Sequence, residues 1–123
     1  MITNYEALKL HLRKLQNTCS NAVVLVEGKR DVAALKPLLN ANFFTLNEGV
    51  KRSLYETAEH IASKYGSAIL LLDADKKGKE LRKKMSSYLR SHGVRVRTEE
   101  KLLKLAKVRN VEDLCSVVLD TSL

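Results

Sequence analysis

The chain has 123 residues, 45% hydrophobic and 29% charged, enough for one hydrophobic core, too few for two, and unlike a disordered polymer. Its formal net charge of +8 favours a polyanionic partner, because Lys and Arg contacts to phosphates release counterions, although a solvated Lys-rich surface carries the same charge. No apolar run reaches membrane-spanning length, no signal pattern opens the chain, and Cys19 and Cys115 match neither a zinc spacing nor a disulfide framework, so a reduced, cytoplasmic setting without a membrane partner is expected.

Leu8, Leu12 and Leu15 recur at helical spacing within residues 4–17, with Asn4 as the expected N-cap. Residues 1–18 are read as an N-terminal helical extension of a single domain spanning 1–123. Ala22 to Val26 is a continuous apolar run, suited to a strand covered on both faces. It stops at Glu27-Gly28-Lys29-Arg30-Asp31, and a helical pattern follows until Pro37 disturbs it. Phe43 to Leu46 reads as a second strand and Asn47-Glu48-Gly49 as a loop. Residues 51–64 read as a helix closed by Gly66.

Ala68 to Leu72 is the third apolar strand, ending at Asp73-Ala74-Asp75-Lys76-Lys77-Gly78. A helix to about residue 91 follows, then His92-Gly93. Val94 to Arg97 alternates, which predicts a fourth strand at a sheet edge. Residues 99–107 read as helical, and Asn110 is a candidate cap for a last helix through Val111, Leu114 and Val117. Strands alternating with helices imply a mainly parallel sheet between helix layers, with right-handed crossovers.

Ligands of open α/β sheets bind beyond the carboxyl ends of the strands. Glu27 is the first residue after strand one and Asp73 the first after strand three, so adjacency of these strands would bring their carboxylates together. Asp73 and Asp75 are spaced to point the same way on an extended segment. Clustered carboxylates raise one another's pKa unless a cation neutralises them, and magnesium suits such oxygen ligands. The competing explanation is local: Asp31 and Asp75 are each placed to cap the helix that follows.

Val23-Val24-Leu25-Val26-Glu27-Gly28-Lys29-Arg30-Asp31 resembles the first motif of the Toprim family, a hydrophobic strand ending in Glu-Gly. Ile69-Leu70-Leu71-Leu72-Asp73-Ala74-Asp75-Lys76-Lys77-Gly78 resembles the second, a strand ending in Asp-x-Asp-x-x-Gly. The likeness extends over roughly residues 20–118 in element order. It implies a three-layer, Rossmann-like α/β sandwich of about four mainly parallel strands, ordered 2-1-3-4, with helices on both faces. It also implies Glu27 as general acid or base, and magnesium (manganese as an alternative) on Asp73 and Asp75 with Glu27. The chemistry shared by the family's topoisomerases, primases and nucleases is cleavage, transfer or joining of phosphodiesters.

The Glu-Gly-Lys-x-Asp-x-x-Ala-Leu-Lys stretch is most similar to the nuclease that matures 5S ribosomal RNA and to small stand-alone archaeal Toprim proteins. The second motif departs from the pattern at Lys79, where many relatives carry an acid; Glu80 follows one step later. The chain has no room for a topoisomerase's tyrosine domain.

Gly28, Lys29, Arg30, Lys76, Lys77, Gly78 and Lys79 flank the acids as candidate phosphate or nucleic-acid contacts, with Asp31 supporting, and the following helix N-termini are further candidate donors. The expected function is magnesium-dependent phosphodiester chemistry, foremost a nuclease on structured RNA, with RNA favoured over DNA. The alternative is a non-catalytic nucleic-acid-binding or interaction module. With no Trp and 5% aromatic residues, candidates for base stacking are few.

Overall fold

The computed structural model describes residues 3–47 and 52–121. Among the described residues are six helices and four strands, alternating as far as α5: α1 (Asn4–Cys19), β1 (Val23–Val26), α2 (Lys29–Leu35), β2 (Asn42–Thr45), α3 (Leu54–Ala62), β3 (Ser67–Leu70), α4 (Lys76–Ser91), β4 (Arg95–Thr98), α5 (Lys101–Ala106) and α6 (Leu114–Thr121), with a 3-10 turn at Val111–Asp113. The strands form one parallel sheet in the order β2-β1-β3-β4, as the family resemblance implies. The expected loop at Asn47-Glu48-Gly49 and the expected helix start at residue 51 lie largely outside the described residues.

The two apolar runs are continuous because successive side chains enter different cores. Val24, Val26, Ile69 and Leu71 pack with Leu8 and Leu15 of α1, Leu35 of α2, and Leu102 and Leu103 of α5. Val23, Leu25, Ala68, Leu70 and Leu72 pack on Ala58 and Ile61 of α3 and Met85 and Leu89 of α4. Helices therefore cover both faces of the sheet, and every residue of β1 is buried. Burying each such Val, Leu, Ile or Met side chain contributes about 2 kcal/mol.

Several boundaries move from their expected places. Thr3, not Asn4, caps α1 by accepting the Glu6 N–H; the Asn4 amide instead donates to the Leu105 carbonyl at 3.0 Å and ties α1 to α5. Helix α3 starts at Leu54 because Ser53 and Glu56 form a reciprocal capping box. Asn110 makes no side-chain cap bond, and a 3-10 turn precedes α6. Gly93, at φ 81°, supplies the left-handed residue between α4 and β4. β4 is an edge strand, as its alternation predicts, with Arg95 and Arg97 exposed.

His11 of α1 is buried, and its Nε2 lies 2.7 Å from Glu99 Oε1. The same oxygen accepts the Leu102 N–H of α5 at 3.2 Å. Glu99 thus closes the N-terminus of α5 and joins it to α1.

Candidate active site

β1 and β3 are neighbours, with Leu25 opposite Leu70, so the segments leaving them emerge side by side. Glu27 follows β1 directly. The ordered strand β3 ends at Leu70, two residues before the expected Leu72. Leu71 and Leu72 are nonetheless buried, and the Leu71 N–H donates to the Leu25 carbonyl at 3.0 Å. Asp73 therefore leaves the core on the same side as Glu27.

Glu27 is half-buried, and its Oε1 is shielded from solvent without a hydrogen-bond partner among the described residues. An acceptor left in that state costs about 1–3 kcal/mol, so the position favours a proton or a cation there. Burial is the main cause that pushes the Glu27 carboxyl above the usual carboxylate range. The negative charges of Asp73, Asp75 and Asp31 push the same way, while Lys77 opposes them. Mutual influence of this kind places the four carboxylates in one electrostatic neighbourhood.

Asp73 and Asp75 each have one oxygen engaged by the backbone. Asp73 Oδ1 accepts the Val111 N–H at 2.8 Å, and Asp75 Oδ1 accepts the Gly78 N–H at 2.7 Å as the N-cap of α4. The capping role weighed for Asp75 is thus real, and it leaves the second oxygen of each carboxylate for another partner. Gly78 has a steric reason: a Cβ there would collide with the Asp73 carbonyl oxygen and lie 2.9 Å from the carbonyl carbon. The loop can fold back over the start of α4 only because this residue has no side chain.

Asp31, 8% exposed, accepts the Gly28 N–H at 3.1 Å from the third position of α2. Burial raises its carboxyl above the usual range, the Gly28 bond lowers it, and Asp73 and Glu112 raise it again. Its bond shapes the Glu27-Gly28 turn from behind. The Gly28 and Gly78 N–H groups, expected as phosphate donors, are therefore already committed to Asp31 and Asp75. Lys29, Arg30, Lys76, Lys77 and Lys79 are all exposed around the acids, and the charge of Lys77 reaches Glu27.

The segment after α5 also belongs to the site, which the motifs do not reveal. The Arg109 carbonyl accepts the Ala74 N–H at 2.8 Å, and Val111 holds Asp73. Both contacts are made by main-chain atoms. Asn110 marks a turn in the sequence, but nothing in the side chains signals which N–H meets Asp73.

Residues 22–101 match the Toprim domain model. The chain belongs to the Toprim domain family. A UPF0292 protein of Pyrococcus horikoshii is 34% identical over 127 residues, covering 99% of this chain and 92% of the relative. A UPF0292 protein of Thermococcus sibiricus is 37% identical over 122 residues, covering 94% and 91%. A UPF0292 protein of Methanosarcina barkeri is 30% identical over 129 residues, covering 95% and 89%. A solved structure of a protein from Aquifex aeolicus superposes with a TM-score of 0.68 at 28% identity, over 83% of this chain and 93% of that one. The Toprim match stops before Val111, so the contact that holds Asp73 comes from outside the matched region.

Toprim membership implies a metal-dependent function connected with nucleic acid. The residues fit magnesium: the shielded Glu27 oxygen and the second oxygens of Asp73 and Asp75 are hard donors in a shared negative field. Among the described residues, no three His, Cys, Asp or Glu side chains form a ready-made ligand set. Magnesium keeps several waters and takes substrate oxygens, so it does not need a closed protein cage. No helix among the described residues is long and apolar enough to cross a membrane.

Proposed function

We propose that this Toprim chain is a magnesium-dependent nuclease that hydrolyses phosphodiesters in structured RNA, working in the cytoplasm. The observation that carries this reading is the Glu27 oxygen, shielded and unpartnered beside the charges of Asp73 and Asp75. Asp73 and Asp75 would hold the ion, with Glu27 at its side. Magnesium, when bound, supplies a Lewis acid for a phosphate oxygen.

Glu27 holds or moves the proton. Burial and the neighbouring acids favour its protonated form, which gives its proton to the leaving oxygen as the P–O bond breaks; ionised, it takes a proton from the attacking water. Lys77 stands close enough to steady its ionised form. Lys29, Arg30, Lys76 and Lys79 form a basic rim for flanking phosphates. Two free cysteines support a reducing compartment.

A second reading is a nucleic-acid-binding or interaction module without chemistry. It is favoured by Asp73 and Asp75, which already serve the local backbone. Incubation with labelled RNA and DNA, with and without magnesium, separates the two. Magnesium-dependent products lost in Glu27→Gln and Asp73→Asn support the nuclease. Binding with a steep salt dependence and no product supports the module.

A further inference from the structure

Both phenylalanines of the chain, Phe43 and Phe44, lie on β2, the edge strand next to the Glu27 strand. Neither is wholly buried. A cavity of about 340 Å³ runs along residues 43–46 and is completed by Arg52 and His60. That volume lies within the usual range of small-molecule pockets. The Phe44 and His60 rings stand 6.0 Å apart, inclined by 46°, and form an aromatic wall.

The backbone adds polar groups. The Leu46 N–H donates to the Val26 carbonyl at 2.9 Å, so Leu46 faces β1. Successive residues of a parallel strand turn their N–H and C=O to opposite sides. Those of Phe43 and Thr45 therefore face the outer edge, along which the cavity runs. The Asn47 N–H donates to the Glu27 carbonyl at 3.0 Å, which joins this end of β2 to the central acid. Neighbouring strands lie about 4.8 Å apart, so the cavity is one strand from Glu27.

We propose that this pocket receives one unpaired nucleobase, that of the nucleotide next to the phosphodiester at Glu27; the assignment rests on the function proposed above. The base stacks on Phe44 and His60, its polar edge meets the outward N–H and C=O groups of β2, and Arg52 meets a flanking phosphate. Desolvation and the charges of Arg52 and Lys64 lower the His60 pKa, which favours the neutral ring that stacks on a base. A base inside a duplex has its pairing edge engaged, so the pocket selects single-stranded segments or loops. A β-strand from a second copy is the competing occupant. It is disfavoured by the four-residue length of β2 and gains nothing from Arg52.

The test is fluorescence anisotropy of the full chain with a labelled single-stranded RNA, without magnesium, against the same RNA carrying one abasic residue walked along its length. One position is expected at which loss of the base weakens binding about tenfold. His60→Ala and Arg52→Gln, both with wild-type melting temperatures, are expected to weaken the intact RNA and remove the abasic effect at that position. A flat abasic scan, unchanged affinity in both variants, or absence of RNA binding overturns the proposal. So does a concentration-dependent dimer that His60→Ala dissolves while RNA affinity stays constant. Base-dependent binding without magnesium-dependent cleavage would sustain the pocket and refute the nuclease, whereas cleavage with a flat scan would do the reverse.

Discussion

The Val111 N–H donates to Asp73 Oδ1 at 2.8 Å, across 38 positions of sequence. This bond decides how Asp73 variants should behave. Asp73→Asn keeps an oxygen for Val111 and is expected to fold with little loss while cleavage falls about 100-fold or more. Asp73→Ala leaves the N–H without its acceptor and is expected to lose about 1–3 kcal/mol in urea unfolding. Equal stability of the two variants would show that the bond does not matter.

Gly78→Ala is expected to destabilise the chain by about 1–3 kcal/mol, because the added carbon meets the Asp73 backbone rather than a side chain that can move aside. Gly66→Ala is the control, since nothing lies within 4 Å of a Cβ there. Thermal melts of the two variants side by side test the contrast.

Much of this arrangement is legible in the sequence. The apolar runs Val23–Val26 and Ala68–Leu72 announce buried parallel strands because both faces of each are covered. The acids after them mark the site because strand ends in parallel sheets converge on one side. Helix starts were less legible. Thr3 and Asn4 are both competent caps, and the choice fell to Thr3 because Asn4 finds the distant Leu105 carbonyl. The Val111 contact and the outward edge of β2 depend on main-chain groups, which every residue carries and no motif records.

Glu27 governs a pH dependence of stability. Its folded pKa lies above the ordinary value of 4.5, so the folded state binds more protons than the unfolded state from that value upward. Stability should therefore fall as pH rises through this window. Glu27→Gln removes its share of the effect, while the raised Asp31 keeps the rest: the variant is expected to melt higher than wild type at neutral pH, with the gap closing below about pH 4, where glutamate is protonated in both states. A gap that widens toward acid would reverse the assigned sign.

The His11–Glu99 pair should contribute to stability rather than to chemistry. Removing the imidazole in His11→Ala takes from the Glu99 carboxylate, 3% exposed, its partner at 2.7 Å and leaves it the Leu102 N–H and, at 3.9 Å, Arg97. The expected cost is on the order of 3 kcal/mol, much of it recovered in the double variant with Glu99→Gln. A double-mutant cycle by chemical denaturation measures it, and cleavage per folded molecule should stay unchanged.

Diffraction from crystals soaked in manganese bears most directly on the acidic site itself. An anomalous peak among Glu27, Asp73 and Asp75, within about 2.5 Å of at least one carboxylate oxygen, is the expected result. Well-ordered carboxylates with no peak near them at a manganese concentration that loads other magnesium enzymes would contradict the account.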